Sequence, residues 1–409
     1  VIERAITAPL LAALADTPVV ILVGGRQTGK STLVTGLVEK GFSAEYLTLD
    51  DPTELAAARN DPVAFVDRFD GPMILDEVQR APEIFLPIKA AVDRDRRPGR
   101  FLLTGSANVL FVPSVAEALA GRMEVLTLWP FSAAEIEGRS QGHFNQRLFD
   151  ASPKLPRIEP ISNEQLVSRL LAGGYPEALE REDQDRRRSW FANSLTTILE
   201  RDVRAMADIE RLEQLPALLS AIALRSRGPL NKSGLGQDLG VPSSSIDRYL
   251  TLLDRVFLIR RLTAWHNRIG PRLVKAPKLL VSDSGLLCSL LRTDQGRLLE
   301  DDTLRGLVLE SYVGMELVKS AAVAGIGNDV MHYRTAKGAE VDFLVEASDG
   351  RIAGIEVKAA RSAEPRDFAR FGPLEQSLGE RFVRGIVLYA GERPVTFGER
   401  RAAWPVAML

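Results

Sequence analysis

Residues 24–31 read Gly24-Gly25-Arg26-Gln27-Thr28-Gly29-Lys30-Ser31, with the spacing G-x-x-x-x-G-K-[ST]. The apolar run Pro18-Val19-Val20-Ile21-Leu22-Val23 precedes it, and Ser31-Thr32-Leu33-Val34-Thr35-Gly36-Leu37-Val38 follows with helix-compatible spacing. Strand, glycine loop and helix in that order make a phosphate cradle. The glycines let successive N–H groups turn toward phosphate oxygens, and the helix adds its positive N-terminal end. Lys30 is expected to reach the β/γ-phosphates and Ser31 to hold Mg²⁺, with Gly24, Gly25, Arg26, Gln27, Thr28, Gly29 and Thr32 completing the contacts. The chain is expected to bind a nucleoside triphosphate, ATP.

A second element agrees with this. Gly71-Pro72-Met73-Ile74-Leu75-Asp76-Glu77 is a short apolar run ending in two carboxylates. After a phosphate loop, such a strand places Asp76 to bind Mg²⁺ through water and Glu77 to polarise the attacking water. A third strand, Arg100–Thr104, leads into Gly105 and Ser106. Thr104 and Ser106 are equal candidates to orient the water or sense the γ-phosphate, and either would also serve as a turn cap.

At 409 residues the chain has room for two to four domains, each with its own core. Its 45% hydrophobic and 26% charged content is that of a soluble globular protein. No apolar stretch approaches the roughly 20 residues that span a bilayer. The segment Val1-Ile2-Glu3-Arg4 lacks the build of a signal peptide, so a cytoplasmic location without a membrane partner is expected. The single Cys288 excludes an intrachain disulfide and a thiolate metal cluster. His143, His266 and His332 are far apart, which disfavours a histidine triad or zinc site. With a net charge of −2, any attraction to nucleic acid has to come from local patches.

Residues 1–137 alternate strands and helices, as in a parallel sheet covered on both faces. The expected strands are Val19–Val23, Ala44–Leu49, Met73–Asp76, Arg100–Thr104 and Met123–Leu128. Residues 138–163 are polar and carry Pro153, Pro156 and Pro160, which reads as an exposed linker. A helical region, 164–214, follows. Residues 215–285 run helix, short helix, turn, longer helix and two strands, the order of a winged helix-turn-helix. Between Val241 and Leu280 lie eight basic residues, Arg248, Arg255, Arg260, Arg261, Arg268, Arg272, Lys275 and Lys278, against only Asp247 and Asp254. That excess suits a phosphate-facing surface, and DNA is the expected partner.

Residues 286–409 carry a second chemical signal. Glu340-Val341-Asp342-Phe343-Leu344-Val345 and Ile352-Ala353-Gly354-Ile355-Glu356-Val357-Lys358 read as strands around the turn Ser348-Asp349-Gly350. A hairpin centred on Asp349 sets Asp342 opposite Glu356, with Cβ atoms about 4.5–5.5 Å apart. Lys358 shares the face of Glu356. Two carboxylates held that close repel, and a divalent cation, Mg²⁺ or Mn²⁺, would relieve them. Asp342, Glu356 and Lys358 are therefore candidate catalytic residues, with Asp342 and Glu356 as metal ligands.

This constellation resembles the PD-(D/E)XK nuclease superfamily, in which a helix ahead of the hairpin supplies another acid to the metal. On the helix expected over Leu304–Ser320, Glu310 and Glu316 lie about 240° apart, so both cannot face the site. Glu310, in Arg305-Gly306-Leu307-Val308-Leu309-Glu310, better matches the pattern of junction-resolving relatives. Val341 stands where the superfamily name has proline. Taken whole, the chain resembles a bacterial and archaeal family of AAA-type ATPases with a C-terminal nuclease-like domain. The matching stretches include Ala120-Gly121-Arg122, Gly173-Gly174-Tyr175-Pro176-Glu177 and Glu200-Arg201-Asp202-Val203. The resemblance implies that Arg122 completes a γ-phosphate site, with Arg201 and Arg204 as weaker candidates, and that the chain forms a homo-oligomer. An arginine ending a helix beside Gly121 is an equal reading of Arg122. The expected fold is α/β and multidomain: a parallel-sheet P-loop ATPase core, a helical region with a winged helix, and an α/β restriction-endonuclease-like domain. The expected function is ATP hydrolysis coupled to cleavage of nucleic acid, with an ATP-controlled, non-cutting regulator of DNA or protein as the alternative.

Overall fold

Val19–Gly24, the first strand (β1), is buried at all six positions, as a strand covered on both faces must be. In the computed structural model it is the fourth strand of a five-stranded sheet. The described residues are 2–105, 119–139, 143–150, 153, 155, 159–206, 212–226, 228–266, 276–324, 329–335 and 338–409. The chain divides into two units: Glu3–Pro130 with Arg255–Phe257, and Phe131–Asp254 with Leu258–Leu409.

In the first unit, β2 (Glu45–Thr48), β3 (Met73–Asp76), β4 (Phe101–Gly105) and β5 (Met123–Leu128) join β1 in the order β2-β3-β4-β1-β5. Every pairing is parallel. This is the parallel-sheet core that the alternating pattern implies, with strand ends moved by a residue or two. Helices Thr7–Asp16 and Lys30–Glu39 bury Leu10, Leu14, Leu33, Val34 and Leu37 against Val20, Leu22, Ile74 and Leu102. Each such fully buried side chain contributes about 1.5–3 kcal/mol. Parallel pairing brings the C-terminal ends of β1, β3 and β4 to one edge, where the phosphate loop, Asp76 and Thr104 sit. Gly24 is required at that edge, since a Cβ would lie 2.3 Å from the Leu128 carbonyl oxygen.

The second unit contains a six-stranded mixed sheet of β8 (Asp329–Arg334), β9 (Glu340–Glu346), β10 (Ile352–Lys358), β11 (Phe382–Tyr389), β12 (Val395–Thr396) and β13 (Arg401–Pro405). Their order is β12-β13-β11-β10-β9-β8. The meander β8-β9-β10 is antiparallel, and β10 pairs with β11 in parallel across the helix Gly372–Leu378. The 23-residue helix Asp302–Ala324 precedes the meander, and its residues from Arg305 to Lys319 are all buried. Gly314 permits the close approach, because a Cβ there would meet Leu280 and Phe343 side-chain carbons at 2.7 Å.

Earlier in this unit, helices Asn163–Ala172, Pro176–Leu179 and Gln184–Thr197 lead into a π-helical turn, Ile198–Val203. Gly173 and Gly174 form a joint around Asp283. The Gly174 amide donates to its carboxylate (2.7 Å), and a Cβ on Gly173 would fall 2.2 Å from it. Burial raises the pKa of Asp283 above the usual carboxylate range. Helices Leu215–Leu224, Lys232–Leu239 and Ser243–Arg255 then precede an antiparallel ribbon of β6 (Ile259–Leu262) and β7 (Lys278–Val281).

One expectation about organisation is corrected. The segment read as a linker, 138–163, contains the helix His143–Phe149. Phe144 and Leu148 are buried, and Phe144 stacks edge-on against Trp404. The i,i+4 spacing of those two residues was masked by the prolines that follow. Among the described residues no helix is long and apolar enough to cross a membrane.

Candidate functional site

Two constellations carry chemistry, one in each unit. The first lies at the C-terminal edge of the parallel sheet. Gln27 and Gly29 both take positive φ (60° and 92°), curling the loop before the helix Lys30–Glu39 begins. Thr28, fully buried, donates its hydroxyl to the Gly25 carbonyl (2.9 Å) and braces the curl. The Lys30 ammonium folds over the loop to the carbonyls of Gly24 (3.1 Å) and Gly25 (2.8 Å). Its charge thus sits inside the cradle, while Ser31 and Thr32 are exposed on the first helical turn.

Because β4 lies between β1 and β3, Asp76 at the end of β3 meets Thr104 on β4. The Thr104 hydroxyl donates to Asp76 Oδ1 and accepts the Glu77 amide (3.2 Å). The Tyr46 hydroxyl, on β2, donates to Asp76 Oδ2 (2.9 Å). Burial and the adjacent Asp76 carboxylate push the Tyr46 pKa up, so this donor stays protonated. Glu77 sits in the left-handed region (φ 60°, ψ 41°), a strained position for a side chain of its kind. Its carboxylate accepts a hydrogen bond from the Gln79 side-chain Nε2. Tyr46 escaped the reading of the sequence, because a tyrosine in a four-residue strand carries no motif.

Arg122 lies away from the cradle of its own chain. It immediately precedes β5, where its carbonyl accepts the amide of Val19 at the start of β1. The six residues of β5, roughly 20 Å of strand, separate it from the phosphate edge. Its guanidinium pairs with Asp93 (2.6 Å) and the Ala120 carbonyl. Parallel pairing therefore puts Arg122 at the far edge, and it does not reach the cradle of its own chain. Ser106 lies outside the described residues.

The second constellation lies on β9 and β10. Pairing of Phe343 with Ile355 and Leu344 with Gly354, continued by one residue, sets Asp342 opposite Glu356. Asp342 donates its amide to Glu356 Oε1 (3.3 Å), and its own Oδ2 accepts the amide of Val357 (2.9 Å). Both carboxylates are buried. Burial first, and Asp342 second, push the Glu356 pKa up to about 9, although Arg370 lies 3.4 Å from its Oε2. Lys358, two residues on, is half-buried with Asp367 Oδ1 at 3.7 Å.

Glu310 and Glu316 go to different partners. Glu316 pairs with Lys319 (2.8 Å) and accepts the amide of Ala133 (3.0 Å), which gives it a role in packing. Glu310 pairs with Lys278, whose ammonium also lies 3.5 Å from the Asp342 carbonyl oxygen. Among the described residues no three acidic, histidine or cysteine side chains are gathered closely enough to hold a metal ion. Asp342 and Glu356 suit a cation through the repulsion between them, whereas Glu310 already has one in Lys278.

Lys278 also corrects the basic stripe. It is 1% exposed and faces inward, so it cannot meet a phosphate backbone. Arg261 is engaged by Thr251 (3.0 Å) and Asp254 (3.7 Å), and Arg248 and Arg260 are exposed. Arg268, Arg272 and Lys275 lie outside the described residues.

Three domain families match the chain. Residues 16–137 match an AAA domain, residues 163–297 a domain of unknown function (DUF8612), and residues 305–409 another domain of unknown function (DUF4143). Uncharacterized proteins from Mycobacterium bovis and Mycobacterium tuberculosis are each 31% identical over 417 residues, spanning 100% of this chain and 84% of their own. A solved RuvB variant from Thermotoga maritima superposes with a TM-score of 0.31 and 16% identity, over 63% of this chain and 88% of its own. So loose a superposition says nothing about function.

Proposed function

We propose that this chain, which belongs to the family of the two mycobacterial proteins and carries an AAA-type ATPase domain, uses ATP to act on nucleic acid and cuts phosphodiester bonds at Asp342 and Glu356. The observation that carries the reading is the opposition of these two buried carboxylates on neighbouring strands, with Glu356 raised to about 9. With Arg370 at 3.4 Å as a partial counter-charge, such a pair at neutral pH favours a shared proton or a bound cation. The order helix, three-strand meander, helix and parallel strand supports the PD-(D/E)XK likeness.

In the ATPase unit, Ser31 and Asp76 would hold Mg²⁺, Lys30 would neutralise the phosphates, and Glu77 would orient the attacking water. In the second unit Asp342 and Glu356 would hold Mg²⁺ or Mn²⁺, which supplies positive charge for the developing phosphate oxygens and polarises the attacking water. Lys358, on the same face, would neutralise charge at the cleaved phosphate. Helices Leu215–Leu224, Lys232–Leu239 and Ser243–Arg255 with the β6–β7 ribbon have the order of a winged helix, and exposed Arg248 and Arg260 would meet the backbone of DNA. A homo-oligomer would let an arginine of a neighbouring copy complete the nucleotide site, a role Arg122 cannot fill in its own chain.

The test is cleavage of labelled single-stranded, duplex and branched DNA in Mg²⁺ or Mn²⁺, with and without ATP. Cutting that disappears in Asp342→Ala, with ATP hydrolysis kept within about twofold, is the expected result. Cutting that survives Asp342→Ala removes the site from the mechanism. A second reading, an ATP-controlled regulator that binds DNA or protein without cutting, draws on the engagement of Glu310 by Lys278. It gains if ATP is hydrolysed and no substrate is cut.

A further inference from the structure

Gly354, Glu356 and Lys358 share one face of β10, because alternate residues of a strand do. The 3₁₀ helix Pro365–Phe371 meets that face three times. The Phe371 ring fills a slot left by glycines: Cβ atoms on Gly354 and on its β11 partner Gly385 would lie 2.8 and 2.6 Å from it. Next along the strand, Arg370 Nη1 lies 3.4 Å from Glu356 Oε2. Beyond that, Asp367 Oδ1 lies 3.7 Å from Lys358 Nζ. The two repeats match. A 3₁₀ turn advances about 6 Å and eclipses residues three apart, while two strand residues advance about 6.6 Å. Buried Phe368 and Phe371 anchor the helix, and Asp367 is fixed by accepting the Glu364 amide (2.9 Å). Arg370 differs from its neighbours: its side chain is half-exposed, whereas that of Glu356 is 1% exposed. The guanidinium can swing outward, and the carboxylate cannot.

We propose that Arg370 is a substrate-contacting residue, whose guanidinium rests on Glu356 and turns to a phosphate of the nucleic acid once Glu356 engages a divalent cation. This inference rests on the metal-site reading given above and deepens it. A small divalent cation bonds its oxygen ligands at about 2.1 Å, so a phosphate sharing that cation comes within a few ångströms of Glu356. A guanidinium already in contact with Glu356 then has phosphate oxygens in range. Its planar fork suits two of them at once, which an ammonium cannot do. Two positive charges at one carboxylate repel, and this turns Arg370 away from Glu356 toward the phosphate. Lys358, beside the fixed Asp367, would approach the same phosphate from the next position on β10.

Two binding measurements on the full chain, without ATP, test this and need no turnover. In the first, Mn²⁺ is titrated and free Mn²⁺ is read by electron paramagnetic resonance. Arg370→Gln should tighten, by about threefold, the binding that Asp342→Ala removes, because a competing charge is gone. In the second, a labelled DNA duplex is bound in Ca²⁺ and followed by fluorescence anisotropy at several salt concentrations. Arg370→Gln should weaken this binding about tenfold and lower the salt slope by about one. Without a divalent ion, the variant should stay within about twofold of the parent. Arg370→Lys, with the charge and without the fork, should recover part of the loss. Tighter metal and weaker DNA is a signature that a merely structural arginine does not give. DNA binding in Ca²⁺ within twofold of the parent overturns the proposal, and so does Mn²⁺ binding that is unchanged or weaker. In either case, Asp342-dependent Mn²⁺ binding by the parent leaves the metal site standing. A parent with no such binding overturns both.

Discussion

The two sheets place their acids by opposite rules. In the parallel sheet of the first unit, Asp76 and Glu77 stand at and just beyond a strand end, where the chain leaves the sheet. Backbone turns at Gln27, Gly29 and Glu77 shape that edge, and hydroxyls from Thr104 and Tyr46 hold Asp76. In the mixed sheet of the second unit, Asp342 and Glu356 lie within paired strands, and antiparallel register alone brings them together. A site at a strand end is adjustable, because loops beyond it can move. A site within a register is rigid, and its charges have to be balanced by whatever packs on the sheet. The elevated Glu356 and the buried Lys278–Glu310 pair are the consequences.

The sharpest break in this comparison should come from Lys30→Ala. It removes the charge from the cradle, and phosphate-release assays should show ATP hydrolysis falling at least about a hundredfold. Thermal unfolding of the second unit should be unaffected. The rigid site should break through packing instead. Gly314→Val places methyl groups against Leu280 and Phe343, so chemical denaturation should show a loss of about 2–3 kcal/mol. An unchanged midpoint would mean that helix Asp302–Ala324 has room to shift.

A smaller effect separates the sites by pH. The folded-state pKa of Glu356 is raised, so its proton stabilises the fold below about pH 4.5 and that contribution is lost as pH rises toward about 9. Glu356→Gln keeps a neutral side chain throughout. Its melting temperature relative to the parent should therefore rise between pH 5 and pH 9, in the absence of metal. A difference that stays flat with pH would show that Glu356 is ionised throughout that range. Smallest is Thr104→Val, which deletes the hydroxyl shared by Asp76 and the Glu77 amide. A fall of about tenfold in kcat with KM nearly unchanged is expected, since the hydroxyl holds Asp76 and the Glu77 amide in place.

Legibility followed locality. Gly24 to Ser31 were readable because a phosphate loop is made by contiguous residues, and the strand pattern around them implied the parallel sheet. The opposition of Asp342 and Glu356 was readable because a hairpin with a short turn converts sequence distance into register. Lys278 was misread as part of a basic surface, since its partner Glu310 is 32 positions away on another element. Arg122 was left open between a phosphate sensor and a helix-end arginine, and its pairing with Asp93 is a contact between distant elements that the sequence does not display.

The sequence by itself determined the phosphate cradle, the acidic strand end and the facing carboxylates, because each depends on backbone geometry within a short span. Only the tertiary structure decided that Tyr46 and Thr104 hold Asp76, that Glu316 belongs to packing, and that Lys278 answers Glu310. Those are settled by long-range burial, where a charge removed from water must find its counter-charge among whatever side chains the fold brings near.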